Sequence, residues 1–283
     1  MSWSQLVAHM REQAAQAEAH AGLVTCVVVK RYLDGDAAVA AGVLQIVAAM
    51  RSHPTSAHVQ EQACAALGNI TIGTGVRYDV RAQAAVDAGA LPQIVAAMHA
   101  HPASAAVQMQ ACRAIYIITA GADAQGDTRA QAAADADALP LVVAAMRAHT
   151  ASAAVQEHAC AALCTITVGA GVQGDARKQA AVDASALPQI VAAMRAHPAS
   201  AGVHEQACWA LRNITHGAGA QSDGRAQAAV AAGALPQIVA VMRAHPASAA
   251  VQREGQHALE RLQRPSWPVA TASYRFSEES AAD

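Results

Sequence analysis

Aromatic side chains are scarce in this chain: three Trp, four Tyr and one Phe make up only 3% of its 283 residues. A core cannot rest on rings, so the 54% of residues that are hydrophobic must pack mainly as Ala, Val, Ile, Leu and Met. Charge is scarce as well. Charged residues make up 14% of the chain, and 19 basic against 21 acidic residues leave a formal net charge of −2. With no basic excess to neutralise phosphates, no nucleic-acid partner is expected. Long apolar runs are missing too. The stretch "AGLVTCVVV" before Lys30 falls far short of the ~18 residues a membrane helix needs, so no membrane partner is expected. The opening "MSWSQLVAHMREQ" turns to charge before any apolar run develops, which does not fit a secretory leader. The six cysteines read as free thiols, which fits a reducing compartment. The expected location is the cytoplasm, with the nucleus also open to the protein.

What is present is repetition. Met50, Met98, Met146, Met194 and Met242 are each 48 residues apart, and His53, His101, His149, His197 and His245 keep the same step. So do Ser56, Ser104, Ser152, Ser200 and Ser248, the glycines 73, 121, 169 and 217, and the arginines 81, 129, 177 and 225. A fixed period of this size is the signature of a stacked repeat architecture. Ala-rich segments favour helix, because Ala loses no side-chain entropy there.

Each unit reads as three helices. Asp79 is placed to cap a short first helix, "VRAQAAVDA", whose end Gly89 marks. Pro92 then sits in the first turn of a second helix, where its missing N–H costs little. Leu91, Ile94, Val95 and Met98 form the apolar stripe of that helix, and it stops at "HP", since the residue before proline avoids the α region. Ser104 caps the third and longest helix. In the equivalent helix after Ser56, Val59, Ala63, Ala66, Leu67 and Ile70 share one face, and Gly73 ends it. One such unit cannot cover its own apolar surface, whereas a stack of them buries a continuous core. Residues 1–40 lack the full pattern and read as divergent N-terminal capping helices, with "MREQAAQAEAHAGL" as a worn third helix. Residues 41–262 carry about five units. Residues 263–283, with their prolines and acidic end, read as a disordered tail.

The recurrent His, Cys and Asp invite chemical readings, and repetition argues against each. Equivalent atoms of stacked helices lie ~8–10 Å apart, whereas zinc ligands must converge on one point at ~2.0–2.1 Å. The His series instead suits helix ends, near the negative end of the dipole. The same spacing rules out disulfides between Cys64, Cys112, Cys160 and Cys208, which read as small buried hydrophobes. Cys164 lies four residues after Cys160 without further ligands, and Cys26 has no assigned role. Asp79, Asp127, Asp175 and Asp223 each precede an Arg by two residues, which suggests capping and local charge pairing rather than a shared catalytic pocket. "GTGVRYD" lacks the lysine of a phosphate-binding loop. No enzyme activity, cofactor or metal is expected.

The turn "GALPQIV" and the third helix "VQEQACAALGNIT" resemble the armadillo repeat. That family has a short first helix, a Gly-Ala-(Ile/Leu)-Pro turn and a long third helix ending near Asn-Leu/Ile. The resemblance covers roughly residues 41–262. The 48-residue unit is longer than the ~42 residues of an armadillo unit, and the extra residues are expected in the "GTGVRYD" and "RAHPASA" loops. The wider HEAT/armadillo superfamily stays open, with the "GALP" turn favouring armadillo. The resemblance implies an all-α, right-handed α-solenoid. It also implies a concave groove, lined by third helices, that binds an extended peptide. In importin-alpha-like members a Trp-x-x-x-Asn pair on that helix holds the peptide. Trp209 and Asn213 match both positions, and Asn69 matches the second, with Ala65 before it. Arg113/Ile117, Ala161/Thr165 and His257/Arg261 depart from the pair. Trp209 is read as groove-facing rather than core, because its counterparts in the three preceding units are Ala, Arg and Ala.

The expected site is therefore a partner-binding groove of Asn69, Arg113, Trp209, Asn213, His257 and Arg261 in a monomeric, non-enzymatic protein-interaction scaffold. Its partner would be a protein or peptide. The alternatives are a nuclear-import-type adaptor for basic peptides, an interaction domain of a larger signalling protein, and a recently expanded repeat with no evolved ligand.

Overall fold

The computed structural model describes residues 36–72, 76–121 and 123–263. The expected worn helix before residue 36, Cys26, the helix-ending Gly73 and the tail from residue 264 lie outside the described residues. Fourteen helices and no strand are present among the described residues. In chain order they are α1 (Asp36–Ser52), α2 (Ala57–Thr71), α3 (Val76–Asp87), α4 (Ala90–Ala100) and α5 (Ala105–Thr119). Then come α6 (Ala124–Asp135), α7 (Ala138–Ala148), α8 (Ala153–Ile166), α9 (Gly171–Asp183) and α10 (Ala186–Ala196). The last four are α11 (Ala201–Thr215), α12 (Ala220–Ala231), α13 (Ala234–Ala244) and α14 (Ala249–Leu262).

Three helices per period stack in three columns. The third helices α2, α5, α8, α11 and α14 each pack on the next. The first helices α3, α6, α9 and α12 form a second column, and the second helices α1, α4, α7, α10 and α13 a third. This is the architecture of a helical solenoid. One continuous core runs through it. It contains the buried valines 59, 107, 155, 203 and 251 and the methionines 50, 98, 146, 194 and 242. The first repeat differs for a local reason. It has Ala41 where the turn glycine stands and Leu44 where the proline stands, so nothing interrupts the backbone and α1 runs unbroken for 17 residues. It begins inside the segment read as the N-terminal cap.

Most of the expected punctuation holds. Ser56, Ser104, Ser152, Ser200 and Ser248 each accept a hydrogen bond from the backbone N–H three residues on, at 3.3–3.4 Å. The second helices end at His101, His149, His197 and His245. Between first and second helices the chain passes through one left-handed residue: Gly89, Asp137, Ser185 or Gly233. Asp and Ser occupy that conformation at a steric cost that Gly does not incur.

One expectation fails. Asp79 is not a cap, because α3 begins at Val76, so that "VRYD" is helix rather than loop. The cap of the next copy is Asp123, which accepts from the Gly126 N–H at 2.8 Å. Asp79 and its counterparts face the following repeat instead. Arg129 donates to Asp79 at 2.9 Å, Arg225 donates to Asp175 at 2.8 Å, and Arg177 donates to Asp127. The charge pairing is therefore between repeats and spans 50 residues, not two. These three arginines are among the largest fully buried side chains of the protein. Each also donates to carbonyls at the end of the third helix before it. Arg177 reaches Ile166 O at 2.9 Å and Val168 O at 2.8 Å, and Arg225 reaches Ile214 O at 2.9 Å and His216 O at 3.1 Å. A helix C-terminus leaves its last carbonyls without partners and carries partial negative charge. The guanidinium answers both needs. Arg129 additionally stands over the Tyr78 ring, 5.5 Å from its centroid.

A second set of links runs along the opposite turns. A glutamine at one position of the repeat, Gln60, Gln108, Gln156 or Gln252, donates from Nε2 to the carbonyls of the Met ten residues and the His seven residues before it, for example Met98 O at 2.8 Å and His101 O at 3.0 Å. His101, His149 and His197 in turn place Nε2 at 2.8 Å from Pro54 O, Pro102 O and Thr150 O of the preceding repeat. The fourth repeat breaks this scheme. His204 replaces the glutamine and reaches only Met194 O, at 3.1 Å. Its ring lies edge-on to His245 at 4.9 Å, and His204 Nδ1 and His245 Nε2 are buried without a hydrogen-bond partner.

Two predictions follow from these links. Replacing Arg177 by Leu orphans the carbonyls of Ile166 and Val168 together with Asp127, and costs about 3 kcal/mol in urea unfolding. Replacing the third-exposed Asp127 by Ala costs less, about 1 kcal/mol, since Arg177 keeps its carbonyl partners. The second concerns pH. Burial holds the His204 imidazole below its ordinary value of 6.5, the neighbouring imidazoles of His245 and His197 add to this, and the Met194 carbonyl opposes it. The unfolded chain therefore binds this proton more readily than the folded one. Stability is full above the unfolded value and falls as pH drops from there towards the depressed folded value. His204→Gln restores the second carbonyl bond, gains about 1 kcal/mol at neutral pH, and shows a smaller fall in melting temperature between about pH 7.5 and about pH 5. An equal fall in both proteins assigns the acid sensitivity to other groups, His158 among them, whose burial shifts it the same way.

Candidate partner-binding surface

The third helices set the candidate surface, because each buries one face and leaves a stripe partly open. On α5 the open stripe carries Met109, Arg113 and Tyr116; on α11, Glu205, Trp209 and Arg212; on α14, Arg253, His257 and Glu260. Successive members are three or four residues apart, the spacing of one helical face. On α8 the corresponding Ala161 and Cys164 are small and buried.

The six residues singled out from the sequence fall into three places. Asn69 and Arg113 meet across neighbouring third helices, where Arg113 Nη2 donates to Asn69 Oδ1 at 2.9 Å. Trp209 is half-buried and packs part of its ring against the core. It is thus both core and surface, where the sequence reading chose surface alone. Asn213, His257 and Arg261 are brought together around one cavity of about 570 Å³. They differ in availability. His257 is exposed, with Nδ1 at 3.2 Å from Arg212 Nη1. Asn213 is buried, and its amide nitrogen donates to Cys164 O at 3.2 Å and to Cys164 Sγ at 3.1 Å. Arg261 is buried too, donating to Thr215 O at 2.6 Å, to Ser222 Oγ, and to Asp223 Oδ1 at 3.5 Å. Arg261 thus gives Asp223, from the third-helix column, the guanidinium partner that first-helix arginines give Asp79, Asp127 and Asp175.

The same cavity is lined by Lys178, Arg212, His216, Glu260 and the turn Thr167–Val168–Gly169–Ala170. Lys178 and Arg212 were not singled out from the sequence, yet comparing equivalent positions reveals them. Lys178 stands where the other repeats have Ala82, Ala130 and Ala226, all fully buried. Arg212 occupies the position of Gly68, Tyr116, Cys164 and Glu260. Lys178 is itself buried and donates to Gly169 O at 2.7 Å, with Asp175 at 3.8 Å. Burial pushes its ammonium below the ordinary value, and the carboxylate of Asp175 pulls it back. Arg212 donates to Glu254 at 2.9 Å.

Thiol chemistry finds no footing on the described surface. Cys64, Cys112, Cys160, Cys164 and Cys208 are buried and free. Burial pushes the thiols of Cys64, Cys112 and Cys208 up to about 12, so they stay protonated and unreactive. Among the described residues no three His, Cys, Asp or Glu side chains converge as a metal site would require. No single helix among them is long and apolar enough to cross a membrane.

A comparison with curated proteins returned no match. A comparison with protein families matched residues 174–216 to the armadillo/beta-catenin-like repeat. That stretch covers most of α9 and all of α10 and α11, one complete three-helix unit. Because the same three-helix unit recurs with a 48-residue period on both sides of the match, the described residues form a helical solenoid, and the matched unit is similar to an armadillo repeat.

Proposed function

We propose that this protein is a non-enzymatic interaction scaffold that holds an extended peptide or a partner helix along its third-helix column. One observation carries the reading. Positions that serve the stack repeat faithfully, whereas the partly open stripe varies between copies, with Ala65, Arg113, Trp209 and His257 in one row and Tyr116, Arg212 and Glu260 in the next; the row of Asn69, Ile117, Thr165, Asn213 and Arg261 varies too, though it is mostly buried. Packing demands sameness; recognition of a non-repeating ligand demands difference. Trp and Arg are also the side chains that most often anchor protein interfaces. A monomer acting in the cytoplasm, and open to the nucleus, is the form in which we picture it.

The alternative, an adaptor for basic peptides, has less support. The amide of Asn213 already serves Cys164. The cavity beside it presents Lys178, Arg212 and Arg261, which repel a basic ligand.

Changing Arg113 and Trp209 together to Ala should preserve the helical circular-dichroism signal and reduce capture of the native partner at least tenfold, the loss of about 1.4 kcal/mol or more expected for interface anchors. Quantitative affinity purification from the native cell, with the wild-type and doubly substituted chains side by side, checks this. Equal recovery of every partner removes the third-helix stripe from the interface.

A further inference from the structure

We infer that the cavity shared by α9, α11 and α14 is an oxyanion site, which receives a carboxylate or phosphate group carried by a bound peptide. The inference rests on the scaffold reading and names the chemistry of one part of its ligand.

The first argument is local departure from the repeat. One period earlier, the positions equivalent to the cavity wall are Ala130, Cys164, Thr165, Val168, Trp209, Arg212 and Asn213, with a single cation among them. Two periods earlier they are Ala82, Tyr116, Ile117, Ala120, Ala161, Cys164 and Thr165, with none. In the cavity itself the same positions hold Lys178, Arg212, Asn213, His216, His257, Glu260 and Arg261. The helix framework around these positions is the same in each period, and the other repeats are built without cations at the positions of Lys178 and Arg261.

The second argument is energetic. Ala satisfies the core at position 178, as Ala82, Ala130 and Ala226 show. A lysine there is 2% exposed and must give up most of the hydration of its ammonium, a large cost unless partners replace it. Inside the protein it has one carbonyl at 2.7 Å and one carboxylate at 3.8 Å. An ammonium has three donors, and the cavity lies beside it. An incoming oxyanion supplies the compensation that the fold provides only in part.

The third argument is the direction of the existing ion pairs. Asp175, Glu254 and Asp223 pair with Lys178, Arg212 and Arg261, yet none of the three lines the cavity, where Glu260 is the single carboxylate. The acidic partners of these cations thus lie outside the wall of the cavity, while the cations themselves line it. Side chains from two helix columns and the Thr167–Ala170 turn converge on it, and a space of about 570 Å³ admits several peptide residues rather than a bare ion.

The test uses the full chain and three fluorescent peptides of equal length: one rich in Glu, one neutral with a single phosphoserine, and one rich in Gln. Fluorescence anisotropy at low salt should show binding of the Glu-rich peptide, the phosphopeptide or both, and no comparable binding of the Gln-rich one. Affinity should fall as salt is raised, since the attraction is screened. Which of the two anionic peptides binds identifies the source of the oxyanion. Lys178→Ala installs the residue the other repeats carry and should keep the fold, while weakening binding about tenfold, the effect of losing one charge-assisted contact. His257→Ala, at an exposed position, should weaken it less. Equal binding of the Gln-rich peptide, or anionic binding unaffected by Lys178→Ala, overturns the inference. If the native partner is still lost on substituting Arg113 and Trp209 while no anionic peptide responds to Lys178, the scaffold reading stands and the oxyanion site falls.

Discussion

The buried arginine that returns every 48 residues is the interaction on which the stack depends. Each copy of Arg129, Arg177 and Arg225 reaches back to an aspartate of the repeat before it and closes the C-terminal carbonyls of a third helix. It thus joins two columns of helices and two successive repeats at a single planar group. A guanidinium suits the position because it offers five donors in fixed directions and keeps its charge when buried. Its burial is offset by Nη2 of each copy, and by Nε of Arg177 and Arg225, which reach carbonyls and a carboxylate. The pairing is also directional: each repeat supplies an aspartate forward and an arginine backward. That complementarity sets the register in which one unit sits on the next. Apolar contacts between Val, Ile, Leu and Met supply the bulk of the burial, but they are too similar from helix to helix to fix a register alone.

The glutamine and histidine contacts at the other edge do related work. A glutamine ties the second helix to the third within a unit, and a histidine ties the turn to the turn of the unit before. His204 weakens this edge in the fourth repeat, the unit that also carries Trp209, Asn213 and Arg212. The fifth repeat keeps its first-helix Arg225 and adds Arg261, which donates to Thr215 O and to Asp223. Apart from the first repeat, where α1 runs unbroken, these departures fall in the last two repeats of the described solenoid. That is where the cationic cavity lies.

Much of the fold was legible in the sequence because its signals are local. Ser104 caps a helix through its own backbone neighbours, Pro92 fits only a first turn, and the residue before Pro102 cannot continue a helix. These effects need nothing beyond a few adjacent residues. Val59, Ala63, Ala66, Leu67 and Ile70 were recognisable as one face for the same reason. Asp79 was misread because its partner, Arg129, is 50 residues away and two nearer roles, cap and local ion pair, compete for any aspartate near a helix start. Trp209 is partly buried against the core: its ring is long enough to touch core and surface together, and spacing alone cannot divide one side chain between the two. Lys178 was passed over because it is conspicuous only when its equivalents, all alanine, are set beside it.

The sequence by itself determined the period, the three-helix unit, the helix ends and the apolar faces, since each follows from backbone sterics and side-chain spacing within one repeat. It also determined which positions vary. Only the tertiary structure decided where those variable side chains meet. It paired Asn69 with Arg113 across two helices and drew the Asn213 amide onto Cys164. It also gathered Lys178, Arg212, His257 and Arg261 around one space. Those contacts join residues roughly one period or more apart, and their geometry is fixed by how helices stack, which no single repeat contains.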